Sequence, residues 1–201
     1  MKLDHESIAE NIPYYLTSHQ KEGLVKALAE FPDCNYYTGV GRDEILQGDA
    51  WAQLKIFNFS TGESRLLRGI FLSNSCDIAQ ENKRSLPVKI TFVPIVPLAR
   101  YGEMLVAAGT SRQAVESKFA EIRKQTVTSI FYLPAGSALD VEHIALLDDV
   151  HSMPLSNFIE SSDRPKIFTL SQVGFYLFTM KLAIHFCRMH EAFVRTEEQV
   201  Q

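Results

Sequence analysis

The chain has 201 residues, 46% of them hydrophobic and 22% charged, with a formal net charge of −4. That length can bury a core, the composition is ordinary for a soluble globular protein, and the negative balance excludes a global basic field that would draw the chain to nucleic acid or anionic membranes. Three widely spaced cysteines, Cys34, Cys76 and Cys187, do not make a disulfide framework. The N-terminus has no apolar secretory core. The longest apolar run, Val173 to Cys187, is interrupted by Lys181 and His185 and is shorter than the roughly 20 residues that cross a bilayer. The expectation is a cytoplasmic protein with no membrane partner.

In chain order, Glu6 to Phe31 reads as helical, with Pro13 breaking it early and Thr17 and Gln20 spaced as a capping box. Leu24, Val25, Leu28 and Phe31 form its apolar stripe. Asn35 to Gly39 reads as a turn or short extended link. From Gly48 the period changes to that of a strand. Ala50 to Phe59 and Arg65 to Leu72 make a hairpin around Ser60-Thr61-Gly62-Glu63, and Val88 to Val96 is a third strand whose Pro94 and Pro97 predict an edge or strand exit. Leu98 to Ala108 reads as a helix stopped by Gly109. A second helix carries Val115, Phe119 and Ile122 behind a cap in Thr110–Gln113. Short strands follow at Ser129–Leu133, His143–Leu147 and Val150–Met153. After a polar link over Ser161–Lys166, Thr169 or Ser171 caps a long helix to about Glu197, apolar almost all round in its first half.

The most distinctive string is Ser73-Asn74-Ser75-Cys76-Asp77, set at the end of an apolar strand and followed by Glu81-Asn82-Lys83-Arg84. Loops at strand ends are where rigid scaffolds carry function. Cys76 as a nucleophile would need its thiolate favoured by Lys83 or Arg84, and no histidine is near in sequence. The bland alternative is a polar turn in which Asn74 and Asp77 bond the backbone, Cys76 tucks into the core and Asp77 pairs with Arg84. Lys181, His185 and Arg188 fall at i, i+4 and i+7, a basic row that would either contact phosphate or form the helix's one solvated edge. His143 and His151, or His185 and His190, do not have metal-ligand spacing, and nothing calls for a metal or other cofactor.

Gly48-Asp49-Ala50-Trp51, the Gly62-Glu63 turn, Leu67-Arg68-Gly69-Ile70-Phe71-Leu72-Ser73 and Val88 to Val96 resemble the first half of the PemK/MazF family. Leu147 to Leu155 faintly resembles that family's last strand and short helix. The resemblance covers residues 48–97 and, faintly, 147–155. It implies an α+β chain built on a small SH3-like antiparallel β-barrel over residues 44–160, with a helical insertion over 98–126. An N-terminal helical extension over 1–43 and a long C-terminal helix over 168–201, packed on the barrel or a dimer partner, would flank it.

The resemblance also implies an endoribonuclease toxin, metal-independent, in a toxin–antitoxin or phage-defence setting. Arg68 matches the family's catalytic arginine, although Gly69 stands where the family has proline. Val93-Pro94-Ile95-Val96-Pro97 has no hydroxyl where the family's threonine would be. Two readings follow. In one, the barrel is an RNA- or protein-binding accessory module whose contacts are Ser73, Asn74, Ser75, Cys76, Lys83 and Arg84. In the other it is an active ribonuclease, with Arg68 holding phosphate and Asp77 or Glu81 replacing the threonine as base. The apolar C-terminal helix admits a homodimer under either.

Overall fold

The computed structural model describes residues 35–41, 43–58, 60–79, 81–82, 84–136, 139–160 and 164–186. The helix expected over Glu6–Phe31, together with Lys83, Arg188, His190 and the C-terminal helix beyond Phe186, lies outside the described residues. The described residues form an α+β fold, with an antiparallel sheet of eight strands and five helices. β1 (Tyr37–Thr38) is the short extended link. β2 (Ala50–Asn58) and β3 (Glu63–Phe71) form the expected hairpin. The one-turn helix α1 (Ser75–Ile78) leads to β4 (Lys89–Pro97), then α2 (Leu98–Ala107) and α3 (Arg112–Arg123). β5 (Ile130–Leu133), β6 (His143–Leu146), β7 (His151–Pro154), α4 (Leu155–Glu160), β8 (Lys166–Leu170) and α5 (Gln172–Phe186) complete it.

The strand order is β1-β8-β2-β3-β4-β6-β5, with β7 also paired to β4. Among the described residues no pairing joins β5 back to β1, so the sheet is open rather than a closed barrel. β8 is the element that the sequence pattern hides. Its Ile167, Phe168 and Leu170 are parted from the apolar helix only by Ser171 and Gln172, so a five-residue strand reads as the helix start. The cap is Ser171, whose hydroxyl accepts from the Gly174 amide at 3.2 Å, and Thr169 belongs to the strand. Gly174 lets α5 approach β1, because a Cβ there would collide with the Tyr36 carbonyl.

Of the edge or strand exit that its prolines predict, β4 has the exit, ending at Pro97, but it is a central strand and Pro94 lies inside the sheet. β3 pairs with Phe92, Val93 and Pro94, while the other edge is taken by β7 up to Phe92 and by β6 from Ile95. Leu72 donates to the Thr91 carbonyl, so by antiparallel alternation the Gly69–Pro94 pair exchanges no hydrogen bonds. The missing N–H of Pro94 therefore falls on the opposite edge, in the gap where β7 hands over to β6. Proline is tolerated inside this sheet because its position needs no donor.

Both faces of β4 are buried, which is why Val88–Val96 reads as a continuous apolar run. Val93 and Ile95 join a core with Ile70, Phe131, Leu177 and Phe178, capped by α5. Ile90 and Phe92 face the opposite way into a second core with Leu54, Ile56, Phe71, Met153 and Phe158. A third, smaller core fastens the helical insertion, where Val115, Phe119 and Ile122 of α3 pack on Ile130, Tyr132 and Ile144. There Arg123 grips Glu142 with two bonds of 2.7 Å, and the Tyr132 hydroxyl donates to the same carboxylate at 2.6 Å. The Arg123 guanidinium holds Glu142 below the usual carboxylate range.

The start of β2 is pinned by a buried ion pair. Gly48 turns the chain with a φ of 84°, which glycine adopts without the Cβ clash that another side chain would meet against Leu170. Asp49, with no exposed surface, then meets Lys166 Nζ at 2.8 Å and accepts from the Leu46 amide at 2.7 Å. Lys166 also donates to the carbonyls of Gly41 and Glu44 and lies 5.4 Å from the centre of the Trp51 ring. Burial raises the Asp49 carboxyl against the opposing pull of Lys166. Removing one partner of such a pair strands the other charge. Lys166→Met is therefore expected to lower the unfolding free energy by about 3–5 kcal/mol in urea titrations; a loss under about 1 kcal/mol would show that the pair does not hold the fold.

Candidate functional site

The Ser73–Arg84 loop is occupied with its own architecture. Asn74 caps α1 by accepting from the Cys76 amide at 2.9 Å, and the Asn82 side chain donates to the Cys76 carbonyl. Ser73 Oγ accepts from the Thr91 amide at 2.7 Å, and Ser75 Oγ accepts from the Gln47 amide at 2.9 Å. Gln47 in turn donates to the Leu72 carbonyl, so the serines stitch the loop to β4 and to the turn before β2. Arg84 pairs with Asp77 at 3.1 Å, both exposed. Cys76 is exposed; the residue that tucks inward is Ile78. Glu81 is exposed as well.

Arg68 stands exposed on β3, on the strand face of Ser64 and Leu66. Gly69 explains why proline is missing after it. A Cβ at that position would lie 2.9 Å from both the Val93 carbonyl oxygen and a Leu54 methyl, so β3 and β4 come too close for any side chain.

A second region has more of the character of a site. It is a groove of about 810 Å3 where the described sheet stays open, between β2 and β7, lined by Lys55, Phe57, Ser64, His151, Asn157 and Arg164 among others. β2 leaves β8 there because of a bulge: its pairing with β3 slips between Trp51 and Leu54, and Gln53 takes a left-handed φ of 58°. Below the bulge, Leu54 and Ile56 face the core, while Lys55 and Phe57 are exposed. α4 closes the floor by burying Phe158 edge-on against Trp51 and Phe71, at 5.0 and 5.2 Å. Arg164 seals the end, donating to the carbonyls of Gln53, Asn157 and Phe158 over the Phe158 ring. Glu160 is the acidic residue in this lining.

On the opposite wall, the turn after β6 is closed by Asp149 N–H to the Leu146 carbonyl, which sets Asp149 beside His151. His151 Nε2 lies 2.9 Å from Asp149 Oδ1 and is sealed from solvent, although the approach is not aligned as a hydrogen bond. The neighbouring Asp148 meets His185 Nε2 of α5 at 3.1 Å. His143 instead lies 2.8 Å, through Nδ1, from the Val141 carbonyl. Of the groove residues the sequence singled out only His151, weighed with His143 as a metal pair and within the stretch Leu147 to Leu155; the others form no named motif. The one available signal was Asp149-Val150-His151, an acid and a histidine at strand spacing and so on one side of the chain.

The row of Lys181 and His185 is not the solvated edge of α5. Lys181 is 3% exposed and donates to the Gln125 carbonyl. Gln125 sits at a φ of 57° and uses its side chain as a strand mimic, accepting from the Tyr132 amide and donating to the Tyr132 carbonyl along the open edge of β5. The helix is thus covered on the side where its basic row was expected to meet water. Among the described residues no helix is long and apolar enough to cross a membrane. Compared with models of protein families and with curated proteins, the chain matches none.

Burial lowers the Lys181 ammonium to about 8. An unfolded lysine holds its proton to higher pH, so the burial penalty is fully present below pH 8 and is relieved as the pH rises from there toward the ordinary value near 10.4. Unfolding free energies measured from pH 7.5 to 10.5 should rise in the wild type by up to roughly 3 kcal/mol relative to Lys181→Met. The tyrosines Tyr37 and Tyr132, both raised by burial, cancel in that comparison. Parallel curves would mean that Lys181 keeps its proton throughout.

Proposed function

We propose that this protein is an RNA-binding accessory module built on an open SH3-like barrel of the PemK/MazF kind, with the groove between β2 and β7 as the seat of a single strand. The observation that carries this reading is the makeup of the groove. Two permanent cations, Lys55 and Arg164, line it with His151 and one acid, Glu160, and beside them Phe57 offers a half-exposed ring. A cationic cleft with an aromatic face suits a strand whose bases stack and whose phosphates need neutralising. Arg68 and Lys55, exposed on neighbouring strands of the hairpin, extend the same charge along it.

The reading in which Arg68 cleaves RNA with Asp77 or Glu81 as base has less support. Asp77 already pairs with Arg84, and the family's hydroxyl has no counterpart in Val93-Pro94-Ile95-Val96-Pro97. A protein partner is the competing occupant.

Fluorescence anisotropy with a labelled single-stranded RNA tests the proposal. Binding should weaken steeply between 50 and 200 mM salt. Lys55→Ala and Phe57→Ala should each weaken it by roughly tenfold, given about 1–3 kcal/mol per stacked base. Full affinity in both variants, with loss only in Arg84→Ala, would move the seat to the Ser73–Arg84 loop; no binding at all would leave the protein-partner reading.

A further inference from the structure

The outer side of α5 is apolar where water would be its neighbour. Gln172, Phe175, Thr179, Leu182, Ala183 and Phe186 fall at three- and four-residue steps, so they share one side of the helix. Gln172, Ala183 and Phe186 are exposed, Phe186 by 54%, and Phe175, Thr179 and Leu182 are partly so. The basic residues of α5 point elsewhere: Lys181 donates to the Gln125 carbonyl and His185 meets Asp148. Even the Thr179 hydroxyl turns back on the helix, donating to the Phe175 and Tyr176 carbonyls at 3.0 and 3.1 Å. A helix face that meets water carries polar and charged residues, whereas this one offers only the Gln172 amide.

The sequence ahead of β1 carries a strip that matches this face. Leu24, Ala27, Leu28 and Phe31 share one side at helical spacing, and Glu22, Lys26 and Glu30 fall on the other at steps of four. Pro32 ends the pattern. Residues 17–31 equal α5 in number, and 15 residues make a helix of about 22 Å. The chain that follows them is tethered at the start of α5. Ser171 donates its hydroxyl to the Asn35 carbonyl and its amide to the Tyr36 carbonyl, and Gly174 admits the Tyr36 backbone against the helix. From Phe31 to Asn35 a chain can span about 13 Å, enough to cross the roughly 8–10 Å between packed helix axes.

We propose that the outer face of α5 is the docking surface for residues 17–31 of the same chain, laid on it as an antiparallel amphipathic helix. The tether sets the direction: Phe31 falls near Phe175, Leu28 near Thr179, Leu24 near Leu182 and Ala183, and Gln20 beside Phe186. Thr179 and Ala183 are small enough for two helices to approach between the larger side chains. The pairing covers the apolar side of α5 and leaves Glu22, Lys26 and Glu30 in water. The occupant is the chain's own segment rather than a second copy, because the tether keeps it at an effective concentration that a free partner does not match. α5 caps the core opposite the one beneath the groove, so the pairing is independent of what the groove binds.

Disulfide trapping in the full chain tests the pairing. With Cys34, Cys76 and Cys187 replaced by serine, Leu24→Cys together with Ala183→Cys should close within one chain under mild oxidation, as a faster-migrating monomer that reverts on reduction. Leu24→Cys together with Gln172→Cys, at the wrong end of α5, should stay open. A disulfide between chains would put a second copy on the face, and closure at Gln172 or at neither position would remove the antiparallel pairing; each result overturns the proposal. A second measurement keeps the native cysteines. Leu28→Asp should speed hydrogen exchange along residues 175–186 by roughly tenfold or more, while Lys26→Asp, on the opposite side, should leave it unchanged. Exchange along α5 that is the same in Leu28→Asp as in the wild type overturns the proposal without any engineered cysteine.

Discussion

One buried ion pair joins parts of the chain more than a hundred residues apart. Asp49 opens β2, Lys166 opens β8, and the ammonium also gathers the carbonyls of Gly41 and Glu44. It adds to the strand pairing of β2 with β8 a side-chain tie from β8 to the turn before β2. The Leu46–Asp49 turn contributes a backbone donor to the carboxylate, so charge and chain direction are satisfied together. Asp49 Oδ1 and the facing Thr169 hydroxyl lie buried with no aligned partner between them. That imperfect satisfaction is consistent with a pair kept for placing β2 against β8 rather than for raw stability.

From that anchor, the course of β2 decides where the surface is open. Ala50 belongs to one core, and with Trp51 it lies against β8. One extra residue later, Leu54 and Ile56 serve the opposite core, and the edge away from β3 faces β7 without pairing to β8. The bulge thus has a double effect: it lets a single strand feed two cores, and it leaves a cleft on the flank of the sheet. Bulges commonly re-aim side chains next to functional sites. Here it sends Lys55 and Phe57 outward at the cleft's rim.

Much of the fold was legible in the sequence because its elements announce themselves locally. The β2–β3 hairpin shows in its strand pattern and Gly62 turn, β4 and β5 in short apolar runs bounded by polar or proline positions, and the capped α3 in the helical stripe of Val115, Phe119 and Ile122. β8 was not legible, since a short apolar strand adjoins an apolar helix across only Ser171 and Gln172, and Thr169 offered a cap position as readily as Ser171 did. The central place of β4 was not legible either, because a proline forbids a donor but says nothing of whether the neighbour at that position needs one. The burial of Lys181 depends on a contact with Gln125, 56 residues away, that periodicity along one helix cannot reveal.

The candidate site was less legible than the fold. Ser73–Asp77 stands out as a string because capping and stitching a tight loop also demand small polar residues, and that is the work those side chains perform. The groove's residues come from β2, β7, α4 and the approach to β8, each unremarkable alone.

β4 carries a consequence for motion. It is paired on both edges, buried on both faces and shared by two cores, so its amides are shielded by everything around them. Such a strand exchanges its backbone protons only through opening of the whole domain, whereas segments with few buried contacts open by local fluctuation. The β2–β3 hairpin tip around Thr61, exposed and tied mainly to itself, lies at the other extreme. The hairpin tip therefore opens on shorter timescales than β4, so the chain next to Phe57 and Ser64 in the groove wall can adjust to a ligand while the central strand stays unmoved.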